Sequence, residues 1–149
     1  MISAEAIKIL RGRTGAGISD IKKALEDAGG DQTAAEALIE QRLGTSAGKR
    51  TGRDTTAGVV EAYIHSNAHI GVLLALSCET DFVARNPAFR QLAHDIAMHI
   101  AAMAPKDTAM LTSQPFVKDP GKNVSDIVNE SIGRFGENIK IVEFTRFEI

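Results

Sequence analysis

Residues 71–103 read GVLLALSCETDFVARNPAFRQLAHDIAMHIAAM, and the fold turns on where this stretch changes its period. The apolar run Gly71–Cys78 reads as a strand. From Pro87 the apolar residues switch to helical spacing: Phe89, Leu92, Ala93, Ile96, Ala97, Ile100 and Ala101 follow the i, i+3, i+4, i+7 series. Asn86 is a good N-cap, Pro87 takes the first helical position, and Pro105 stops the helix. Between strand and helix lies a segment too short to bury much, yet it holds an acid, Asp81, and a large aromatic, Phe82. Two readings stand for Phe82: an exposed apolar anchor for a partner, or a side chain packed under the helix that follows.

Working outward, GVVEAYIH (58–65) and HIGVLLALSC (69–78) read as two strands joined through SNA, a plausible hairpin turn. After Pro105 comes a looser segment, KDTAMLTSQPFVKDPGK. A helix is expected over Val124–Phe135, with Ile127, Val128, Ser131, Ile132 and Phe135 on one side and Gly136 beyond its end. NIKIVEFTRFEI closes the chain as a strand. Plain alternation sends Ile139 and Ile141 to one face and Val142 and Phe144 to the other, so both faces of the sheet should be covered.

The N-terminal part reads as three short helices. Ser3 caps the first, with Ile7 and Leu10 on its apolar side, and RGRTGAGI breaks it. The second starts at about Ser19, with Ile18, Ile21 and Leu25 at helical spacing. Asp31 caps the third, in which Ala35, Leu38, Ile39 and Arg42 share a face and which Gly44 is expected to stop. The small, polar, Gly-rich stretch GTSAGKRTGRDTTAG then reads as a tether. The fold class is α+β: a three-helix domain at 1–44, a flexible linker at 45–57, and a core at 58–149 with a three-stranded antiparallel sheet packed with helices.

Composition narrows the function. Hydrophobic residues make up 44% of the 149, enough for a real core, and the net charge of −2 does not mark a nucleic-acid binder. Aromatics are 5% with no Trp, which argues against a base-stacking surface. A single cysteine, Cys78, allows no internal disulfide and fits a reducing compartment. The N-terminus resembles neither a signal nor a transit peptide, and no apolar run nears the roughly 20 residues of a membrane span, so a soluble cytoplasmic protein is expected.

No active site assembles. His94 and His99 are five apart and fall on different helix faces, so they read as polar-face residues rather than metal ligands. Cys78 ends an apolar strand with no His placed to activate it. Gly12, Gly15 and Gly17 follow a helix and lack the Gly-Lys-Ser/Thr ending of a phosphate loop. Glu79 and Asp81 could form a carboxylate pair, but an acid at a helix start is the commoner meaning. A binding protein is favoured over an enzyme, with no cofactor and no metal. The rivals are a ubiquitin-like or nascent-chain interaction module confined to residues 1–44, and a small metal or thiol enzyme using His94, His99 or Cys78.

LRGRTGAGISDIKKALEDAGGD (10–31) and CETDFVARN (78–86) resemble the two signatures of the elongation factor Ts family, and QPFVKD and GENI with the later RF resemble stretches near the end of its members. Four motifs in order span essentially the whole chain. The resemblance implies a guanine-nucleotide exchange factor for elongation factor Tu, with a ubiquitin-associated-like N-terminal domain and an α+β core. It implies that Thr80, Asp81, Phe82 and Val83 form a short helix that presses into the partner's G domain beside its magnesium and phosphate site. It also implies a second docking site at Leu10, Arg11, Ile18 and Ser19; Ser19 departs from the apolar residue common there. Only MAPKDTAMLTS separates AMHIAA from QPFV, which marks a short form. A second core half is missing, so a homodimer packed sheet to sheet is expected, with no membrane or direct nucleic-acid partner.

Overall fold

The computed structural model describes all residues, 1–149. Three helices open the chain: α1 (Ala4–Thr14), α2 (Ile18–Asp27) and α3 (Gln32–Ser46). Ser3 Oγ accepts from the Ala6 N–H, and the Asp31 carboxylate from the Ala34 N–H at 2.8 Å, so the start signals act as read. Leu10, Ile21, Leu25 and Ile39 fill a small core between them.

The rest is built on a sheet of β1 (Ala57–Ile64), β2 (Ile70–Cys78) and β5 (Ile139–Glu148), antiparallel in the order β1-β2-β5. Helices α4 (Asp81–Ala84) and α5 (Pro87–Met103) follow β2. The apolar stripe of α5 covers one sheet face: Phe89, Ile96 and Ile100 bury completely with Leu74 and Leu76 of β2. The Asn86 side chain accepts from the Ala88 N–H, and Pro87 opens α5 as read. Helix α7 (Val124–Phe135) ends at Gly136 in the left-handed region, φ 69°.

The looser segment folds more than its sequence promised. It forms α6 (Thr108–Ser113) and a small hairpin, β3 (Pro115–Phe116) with β4 (Asp119–Asn123). This excursion covers His99, which is buried rather than on a polar face. Its Nε2 lies 2.9 Å from Gln114 Oε1, its Nδ1 accepts from the Val117 N–H at 3.1 Å, and Phe116 stacks on the ring. Burial lowers its pKa, partly opposed by Gln114.

Three further expectations need correction. Gly44 does not stop α3; its backbone stays out of the left-handed region and the helix runs on to Ser46. The expected linker then makes a 3-10 turn, Ala47–Lys49, with Ala47 buried in the main core. Asn138 Nδ2 donates to the carbonyls of Thr51 and Arg53, fastening the segment to the core. In β5 a bulge breaks the alternation: Ala75 pairs with Glu143 but Leu76 pairs with Ile141, leaving Val142 unpaired. Phe144 therefore returns to the helix-facing side with Ile139 and Ile141, while Val142 points away.

The three-helix unit is seated on the core through α3 and α7. A Cβ at Gly133 would lie 2.3 Å from the Leu43 carbonyl oxygen, so only glycine permits this approach. Lys122 spans the same seam, 2.6 Å from Glu40 of α3 and 2.9 Å from Glu130 of α7. Burial alone would lower the Lys122 pKa, but the two carboxylates outweigh it and raise it; burial raises Glu130 against the pull of Lys122.

Candidate docking site

Strand β2 ends at Cys78, whose Sγ lies 3.2 Å from the Thr80 carbonyl oxygen. The chain then needs one turn to reverse onto α5. Thr80 has extended backbone angles, and its Oγ1 accepts from the Val83 N–H at 3.3 Å, making it the N-cap of α4. Asp81 supplies negative charge in the first turn.

A helix of four residues turns each side chain about 100° from the last, so it has an inner and an outer side. Val83 and Ala84 are the inner side and are buried in the main core. Asp81 and Phe82 are the outer side, and Phe82 is 86% exposed. This excludes the packed reading of Phe82. Burying such a ring is worth about 1.5–3 kcal/mol relative to leaving it in water, a gain that this fold leaves unrealised.

The sequence reading missed one residue that touches this turn. Glu137, just beyond Gly136, accepts from the Thr80 N–H at 3.0 Å and from Thr80 Oγ1 at 2.8 Å. Glu79 makes the return contact, accepting from the Asn138 N–H at 2.8 Å. Asp81 stands in the first turn of α4, as the commoner reading has it, and Glu79 is engaged in this exchange between two chain segments. The GEN triplet after α7 was visible in sequence, but nothing local linked it to residue 80. Burial, with the negative charges of Glu137 and Asp81, raises the Cys78 thiol and keeps it protonated.

The N-terminal candidates divide. Leu10 is fully buried in the three-helix core, so it shapes that unit instead of presenting a surface. Arg11, Ile18 and Ser19 are exposed where α1 gives way to α2, with Ile18 46% exposed. Neighbouring Arg13 is tied to Glu36 at 3.1 Å. Thr80–Val83 thus form one projecting turn on the sheet layer, and Arg11, Ile18 and Ser19 a second patch on the helical layer. No helix is long and apolar enough to cross a membrane.

The fold and these surfaces define an α+β protein that projects an exposed aromatic ring from a capped turn, with a second exposed patch on a separate helical layer. The family model described as Elongation factor TS matches residues 32–109, and the chain belongs to the elongation factor Ts family. It is similar to elongation factor Ts of Rubrobacter xylanophilus, 38% identical over 97% of this chain and 97% of that protein. It is also similar to those of Carboxydothermus hydrogenoformans, 38% identical over 100% of this chain and 89% of the relative, and Thermotoga petrophila, 38% over 99% and 96%. The first alignment has 191 positions against 149 residues here, so at least 42 positions have no counterpart in this shorter chain.

Proposed function

We propose that this chain is a guanine-nucleotide exchange factor for elongation factor Tu, acting in translation elongation in the cytoplasm. One observation carries the reading: Phe82 is exposed on a capped turn whose other side is locked into the core. Thr80–Val83 insert beside the partner's magnesium and phosphate site. A factor that binds the nucleotide-free partner better than the nucleotide-bound one must, by reciprocity, weaken nucleotide by the same factor. Disturbing the magnesium site removes the largest local charge holding the diphosphate. No bond is made or broken on this chain.

Residues 1–44 form the second docking unit, through Arg11, Ile18 and Ser19. Its seat on α7 supports a partner gripped at two places by one frame, so each contact raises the effective concentration of the other. The test is release of labelled GDP from elongation factor Tu. Phe82→Ala should weaken binding by roughly 1–3 kcal/mol, slow stimulated release and leave the melting temperature unchanged. An unaltered release rate sinks the assignment. Arg11→Ala is the better probe of the second unit, because deleting residues 1–44 would also uncover α7.

The sheet face away from α5 supports the homodimer. Val60, Ile64, Leu73, Val142 and Phe147 are all exposed there. A second copy laid on this face by a two-fold axis covers the same patch on both chains.

A further inference from the structure

We propose that Glu137 is a positioning residue for nucleotide exchange, holding the Thr80–Val83 turn in the shape that presents Asp81 and Phe82. The inference rests on the exchange reading above and deepens it. A four-residue helix has too few hydrogen bonds to hold itself in water. Two things hold α4: its buried side, Val83 and Ala84, and its N-cap. The cap depends on one hydroxyl. Thr80 Oγ1 has a single proton and must offer a lone pair to the Val83 N–H. Glu137 Oε2 takes that proton at 2.8 Å, which turns the lone pair toward the helix. Glu137 Oε1 takes the Thr80 N–H at 3.0 Å, which fixes the backbone on which the hydroxyl sits.

Both contacts are charge-assisted and shared by one carboxylate, so they set direction as well as strength. The carboxylate is itself held. It directly follows Gly136, the C-cap of α7, and precedes Asn138, which is buried and bonded to Glu79, Thr51 and Arg53. Glu79 and Glu137 thus cross between two segments, each accepting the amide of the other side. Glu137 faces no cation within ion-pair distance, and both its carboxylate oxygens are engaged by Thr80, so anchoring the turn is the task its contacts describe.

The test compares the full chain with Glu137→Gln, Thr80→Val and the double variant. Glutamine keeps the shape and one acceptor oxygen, but its amide nitrogen cannot take the hydroxyl proton. Stimulated GDP release from elongation factor Tu should fall about tenfold in Glu137→Gln, the loss of one charge-assisted bond. Thr80→Val, which also removes the cap bond to the Val83 N–H, should fall at least as far. The double variant should lose little more than the worse single, because each removes the same bond. Unaltered release in Glu137→Gln, or a double variant equal to the product of the singles, overturns the proposal. A second measurement needs no partner: by NMR the Val83 amide proton should exchange with solvent faster in Glu137→Gln, while α5 amides keep their protection. Unchanged Val83 protection refutes the clasp, and uniform loss along the chain refutes a local role. If the unaltered chain fails to stimulate release while Val83 protection responds, it is the exchange reading that falls, and the exchange role of Glu137 with it.

Discussion

Replacing Gly133 with alanine should pry the helical unit from the core. Two effects oppose each other. Alanine in a helix interior gains about 1 kcal/mol over glycine. Against it, the added Cβ would stand 2.3 Å from the Leu43 carbonyl oxygen and 2.8 Å from the Leu43 carbonyl carbon and Cα. Ordinary contact needs about 3.4 Å, so α3 and α7 must part by about 1 Å. The atoms met are backbone, and no rotamer change relieves them. Overpacking of this kind costs typically 1–3 kcal/mol, and a 1 Å gap forfeits about a quarter to a half of the dispersion wells along the seam. The Lys122–Glu40 contact crosses the same seam and is stretched with it. The net expectation is a loss of about 1–2 kcal/mol, which for a chain of this size lowers the melting temperature by about 2–8 °C. Thermal and urea unfolding followed by circular dichroism measure it, with a lower urea midpoint expected. A melting temperature equal to or above that of the parent chain would mean that propensity wins and that the close approach does not hold α3 on α7.

His99 gives a pH dependence. Its folded pKa lies below the unfolded value of about 6.5, so the unfolded chain binds more protons between the two. Its contribution is complete above about pH 6.5 and is lost as pH falls through the folded pKa, because a proton on Nδ1 would face the Val117 N–H. Melting temperatures from pH 7.5 to 5 should decline, and the decline should shrink in His99→Gln; equal slopes in both chains would rule this out. Charges on β5 should separate its two faces. Val142→Lys should leave a folded monomer near 15.9 kDa where the parent sediments at twice that mass, whereas Phe144→Asp should destabilise the fold by about 3 kcal/mol or more. A parent mass near 15.9 kDa at micromolar concentration sinks the homodimer.

Local signals determined much of this protein. The change of period at residues 71–103 announced β2 and α5, and Ser3, Asp31, Asn86 and Gly136 marked element ends where they occur. Each depends on an interaction within a few residues, so the sequence carries it whatever the rest of the chain does. The short helix at Thr80–Val83 was implied by the family resemblance rather than by any period in the sequence, although its cap lies only three residues from its donor. What the sequence left open depends on distant partners. Whether Phe82 turned out or in hung on which side of α4 met the core, and Leu10 became buried because α2 and α3 close over it. Gly44 stayed helical with α3 packed on α7, and His99 was buried by a hairpin too short and polar to show a strand period. A bulge at Val142 reversed the facing of Phe144, because one unpaired residue shifts every later side chain to the other side. Glu137 meets Thr80 across 57 residues of chain, and no pattern along the sequence encodes a contact that only the packing of β2 beside α7 and β5 creates.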